Sequence, residues 1–106
     1  MSKTGRKRQI EKHLKAMIPK APLSDFIAIE SIAVAGHLRH LPPSITVWQA
    51  ITTQIRHVHT DYDLLLQDGY DKDSALHFVV DEMNEILVQW GCSRTLDTTE
   101  DPTLPS

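Results

Sequence analysis

Residues 56–63 read Arg-His-Val-His-Thr-Asp-Tyr-Asp, the densest group of side chains in the chain able to move a proton or hold an anion. Imidazole changes charge near neutrality, and a carboxylate four residues away on a helix can orient its ring. At about 100° per residue, Thr52, Arg56, His59 and Asp63 form one polar row along a helix edge. Such a row could position His59 for acid–base work or bind an anion. The same three groups, Arg56, His59 and Asp63, could instead tie the helix to a neighbour, and that structural role is the preferred reading. His57 and Asp61 repeat the spacing on the opposite face, where an ordinary surface pair is expected.

His37 and His40 add imidazoles from an earlier segment, and with His57, His59, Asp61 and Asp63 they raise the question of a metal. His57 and His59 lie about 200° apart around a helix, so they cannot face one ion. A site would need His59 and Asp63 to meet His37 or His40, folded back by Pro42-Pro43. Arg56, His59 and Asp63 are accordingly expected near His37, Arg39 and His40, and no metal is assigned. Gly5, Gly36, Gly69 and Gly91 are isolated, so no glycine-rich phosphate loop exists and no cofactor is implied. Cys92, the single cysteine, follows the last helical segment with no histidine nearby in sequence, which argues against a thiol nucleophile.

Helices must position these residues. Ile10, Leu14 and Met17 recur at helical spacing, which predicts a basic first helix over 4–17 with Thr4 as its cap. Pro19 and Pro22 break the chain. Ser24, with Asp25 in the first turn, begins a second helix over about 24–36 that is apolar nearly all round and is read as the buried centre. After Pro42-Pro43, Ser44 caps the longest helix, 44–68, whose core stripe is Trp48, Ile51, Ile55, Val58 and Tyr62. Gly69 stops it. Asp71 caps a fourth helix over 71–90, with Ala75, Leu76, Val79, Met83, Ile86, Leu87 and Trp90 on its stripe and Gly91 at its end. The polar stretch 92–106 reads as a disordered tail.

The expected fold is therefore all-α, a compact array of about four helices in one domain over 1–91. A chain of 106 residues supports a single core. No apolar run approaches the ~20 residues that cross a bilayer, so no membrane contact is expected. The polar start and lone cysteine suit a cytoplasmic protein.

Charge is distributed unevenly. Lys3, Arg6, Lys7, Arg8, Lys12, Lys15 and Lys20 stand against Glu11 alone, a balance of +6 over residues 1–20, so residues 21–106 carry −9 of the net −3. Lys3, Arg6, Lys7, Arg8, Lys12 and Lys15 could contact nucleic-acid phosphates, although a solvated helix face is the plainer account. A helix-turn-helix reading fails, because a recognition helix opening Ile45-Thr46-Val47-Trp48-Gln49 offers no Arg or Lys before Arg56.

The string His37-Leu38-Arg39-His40-Leu41-Pro42-Pro43-Ser44, then Val47-Trp48, then Arg56-His57-Val58-His59-Thr60-Asp61-Tyr62-Asp63 and Leu65-Leu66, resembles a bacterial and fungal family known as domain of unknown function 2293. The likeness continues through Gly69-Tyr70-Asp71 to Trp90-Gly91. It implies no reaction, cofactor or catalytic residue. The functional expectation is thus a small helical binding module acting through a protein partner or a homo-oligomer. A nucleic-acid-associated protein using the basic arm ranks second, and a small His/Asp-dependent or metal-binding enzyme third.

Overall fold

The computed structural model describes residues 2–96, without the side chains of residues 2–4 and His37. Lys3 and the imidazole of His37 thus lie outside the described residues, as do residues 97–106. The chain forms α1 (Ser2–Met17), α2 (Leu23–Ala33), a 3-10 turn (Gly36–Leu38), α3 (Pro43–Val58), α4 (Tyr62–Gln67) and α5 (Lys72–Gln89), with no strand among the described residues.

Helix α3 is the hub, packing against α1, α2, α4 and α5. It buries Val47, Ala50, Ile51 and Ile55, steps of three and four that place one continuous stripe toward its neighbours. Helix α1 contributes Ile10 and Leu14, the link after it Ile18, and α5 Ala75, Val79, Met83 and Leu87. The expected stripe was rotated by about one residue: Trp48 is only half-buried and Val58 is exposed. The rotation lets Thr46 and Gln54, two polar residues, enter the core where hydrogen-bond partners await them.

The second helix is not the all-round buried element that its composition suggested. It is buried through Asp25, Ile29 and Ala33, while Leu23, Ile27 and Val34 are 73%, 58% and 45% exposed. Burial falls on the faces that helices turn toward one another, and α3, which meets four other helices, buries more of its apolar residues than α2 does.

Nor does the long helix run to residue 68. It ends at Val58, and a separate α4 begins at Tyr62. The Thr60 hydroxyl donates to the Arg56 carbonyl, and the Tyr62 N–H donates to the Thr60 hydroxyl at 3.3 Å. Both bonds replace helical backbone bonds, the competition by which Ser and Thr end helices. The break turns Tyr62 inward to 7% exposure.

Proline, not a hydroxyl, opens α2 and α3. Pro22 and Pro42 are the caps, no cap side chain accepts a bond, and Ser24 and Ser44 each sit within the first turn. Pro43 stands at the first helical position, where a missing N–H costs nothing. The caps of α5 agree with expectation. Asp71 accepts the Ser74 N–H at 2.7 Å, a bond that also holds its carboxyl below the usual carboxylate range. Gly69 and Gly91 take positive φ of 101° and 81° after α4 and α5.

Residues 92–96 correct the expectation of a tail starting at Cys92. Cys92 and Leu96 are buried, and Asn84 on α5 both donates to the Leu96 carbonyl and accepts its N–H, at 2.9 and 2.7 Å. Two apolar side chains spaced by four among polar residues give too weak a periodic signal to register, yet they suffice to dock the segment.

Candidate functional site

Helices α2 and α3 run antiparallel, which brings the first turn of α2 against the last turns of α3. There Asp25 Oδ1 accepts from Gln54 Nε2 at 3.0 Å and from His59 Nε2 at 2.7 Å, in a position where Asp25 is 7% exposed. The His59 ring meets Trp90 edge-to-face with centroids 5.6 Å apart. Helix α2, helix α3 and the end of α5 are thereby joined at one point. Every bonded atom here is satisfied within the protein, the arrangement expected of a structural lock.

The sequence-derived row divides because the helix breaks. His59 turns to Asp25, while Asp63 is paired with His57 at 2.7 Å on the surface. His57 also meets Tyr62 edge-to-face at 5.5 Å. His40 is exposed in the turn before α3. The 16 residues of α3, roughly 24 Å at ~1.5 Å each, separate that turn from His59. The expected convergence of Arg56, His59 and Asp63 with His37, Arg39 and His40 is therefore not formed, because an antiparallel hairpin puts the α2–α3 turn and the end of α3 at opposite ends. Among the described residues no three His, Cys, Asp or Glu side chains are grouped to hold a metal ion.

A cleft of about 460 Å³ opens beside α3 instead. Ser44, Gln49, Thr52, Thr53 and Arg56 of α3 line it with polar atoms, Arg94 closes it from the segment after α5, and Ile45, Trp48, Leu76, Met83 and Leu96 form its apolar wall. Among the described residues no Asp or Glu lines it. The Arg94 guanidinium lies 4.0 Å above the Trp48 ring and that of Arg56 lies 5.2 Å from the Tyr62 ring centroid. Both are held by ring faces, which attract a cation without occupying its N–H donors. The Arg56 Nε is shut off from solvent and has no hydrogen-bond partner. Arg56 lines the cleft from the polar edge of α3, whereas the segment that carries Arg94 has no periodicity by which the sequence could single it out. In the sequence Asp25 reads only as a first-turn charge. A lone carboxylate between Leu23 and Phe26-Ile27 was the available signal of a buried acid.

The basic arm is not uniform. Arg6 turns inward and donates to the carbonyls of Leu38 and Leu41 and to the Thr46 hydroxyl, at 3.1, 2.9 and 3.2 Å. Arg8, Lys12 and Lys15 are exposed and share one stripe of α1, four and three residues apart. The arm has an acidic neighbour on α2, where Lys7 and Lys15 act on the Glu30 carboxyl. Burial, the charge of Glu11 and a hydrogen bond with Glu11 push the Glu30 carboxyl above its usual range, against the pull of the two lysines.

A raised folded-state value means stability that is complete at low pH and is lost as pH rises through that value. Glu30→Gln should therefore be more stable than the parent above the carboxylate range, by about 0.5 kcal/mol or less for so solvated a group, with the difference vanishing near pH 3. Urea midpoints across this range measure it. A variant less stable than the parent at pH 7 would contradict the assignment.

A family model described as "Uncharacterized conserved protein (DUF2293)" matches residues 13–91. That span covers the lock, most of the cleft and the exposed side of α2. No curated protein and no solved structure matches.

Proposed function

We propose that this chain, which belongs to the DUF2293 family, is a small helical interaction module that pairs with a second copy of itself through the outward stripe of α2, with no reaction of its own. The observation that carries the reading is the exposure of Leu23, Ile27 and Val34, at 73%, 58% and 45%. Their spacing of four and seven residues puts all three on one side of the helix, the pattern of a helix–helix seam. Phe26, Pro19 and Ala21 extend the apolar surface beside Leu23. A stripe of this kind is self-complementary when two copies meet antiparallel across a two-fold axis. No helix among the described residues is long and apolar enough to cross a membrane, and a cytoplasmic setting suits the single, buried cysteine.

Sedimentation equilibrium over a range of protein concentrations should reveal a reversible dimer. Ile27→Asp should abolish it while changing monomer stability by less than about 0.5 kcal/mol, because the side chain is already exposed. A parent protein that is monomeric at every concentration would remove self-pairing.

A second reading, contact with nucleic acid, is favoured by the exposed stripe of Arg8, Lys12 and Lys15. Arg6 does not serve it, its donors being engaged inside the fold. Three phosphate contacts would make log K fall with log salt at a slope of about −3, and binding to duplex DNA without such a slope would end this reading.

A further inference from the structure

We infer that the cleft between α3, α5 and residues 94–96 is a binding site for a small organic oxyanion, a phosphate monoester or carboxylate joined to an apolar group. Among the described residues its lining pairs two guanidinium groups with Ser44, Gln49, Thr52 and Thr53 and contains no carboxylate, a balance that favours anions over cations. The apolar wall of Ile45, Trp48, Leu76, Met83 and Leu96 suits a hydrocarbon or ring attached to the acid.

The placing of the arginines adds to this. Each is oriented by an aromatic face: Arg94 on Trp48 at 4.0 Å, Arg56 beside Tyr62 at 5.2 Å. A guanidinium used only to stabilise a fold is normally consumed by carbonyls or carboxylates, as Arg6 is here. Arg56 is half-buried, lines the cleft, and has an Nε without a partner in the fold, so its guanidinium is not committed to a protein acceptor. The volume, about 460 Å³, lies within the ordinary range of small-molecule pockets, ~300–1,000 Å³. The site is separate from the α2 stripe, and neither proposal depends on the other.

The test is an NMR titration of the full chain, following the Arg56 Nε–H and Trp48 indole N–H resonances. The probes are phenyl phosphate, benzoate and benzylammonium, which carry one ring with different charge. Saturable shifts with phenyl phosphate, benzoate or both are expected, and the pattern states which oxyanion the cleft takes. Arg94→Gln, at an exposed position that leaves the core intact, should weaken binding about tenfold or more. Equal binding of benzylammonium would reduce the site to an apolar cleft and overturn the inference, as would no saturable shift with either anion. Binding that appears only when Asp97, Glu100 and Asp101 are neutralised to Asn, Gln and Asn would mean that the chain supplies its own anion, and would overturn it also.

Discussion

Replacing Asp25 with alanine is expected to lower the unfolding free energy by roughly 2–4 kcal/mol, the largest effect of any polar substitution in the chain. The carboxylate is 7% exposed and accepts two hydrogen bonds, from Gln54 and from His59. Its removal leaves a buried amide and a half-buried imidazole without a partner, at about 1–3 kcal/mol for each orphaned group. A domain of this kind has only ~5–15 kcal/mol in all. Urea unfolding of the variant beside the parent measures the loss, with an unchanged slope showing that the native fold persists. The control is Asp63→Ala. Asp63 is half-exposed and bonded to the exposed His57, so its loss should cost under about 0.5 kcal/mol. Should Asp63→Ala prove as damaging as Asp25→Ala, the assignment of the locking carboxylate fails.

Arg6→Ala should cost about 2 kcal/mol, although Arg6 belongs to a basic run in which Lys7, Arg8, Lys12 and Lys15 are exposed. Its terminal nitrogen donates to Leu38, Leu41 and Thr46, which links α1 to the turn entering α3. Hydrogen bonds from a charged donor are worth about 1.5–3 kcal/mol, and the fully buried Thr46 hydroxyl, itself bonded to the Leu38 carbonyl, has no water to replace Arg6. Arg8→Ala and Lys12→Ala should each stay within about 0.5 kcal/mol. Unfolding midpoints distinguish the three, and amide exchange over residues 38–46 should quicken in Arg6→Ala alone. If Arg6→Ala costs no more than Arg8→Ala, the inward contacts contribute nothing and the whole arm is a solvated face.

That the chain folds as helices, and roughly where they lie, is written in its local residue pattern. Apolar steps of three and four, Pro19, Pro22 and Pro42-Pro43 at the joints, and Gly69 and Gly91 at positive φ are local physics, legible without any contact between segments. The Asp71 cap is local in the same sense. Which helix lies at the centre follows from packing between segments. The composition of α2 is more apolar than that of α3, but burial depends on how many neighbours a helix has, and α3 packs against four other helices.

The candidate site followed the same division. Arg56, His59 and Asp63 share an edge only while their helix is continuous, and Thr60 ends it by bonding to the Arg56 carbonyl. His59 then finds a carboxylate 34 residues away, and Asp63 finds His57. Partners are chosen by which helices pack together, a property that spacing along one segment does not contain. Arg94 is the plainest case: in sequence it is one cation in a polar stretch, and it becomes half of an anion-receptive cleft because Leu96, held by Asn84, docks that stretch beside Trp48.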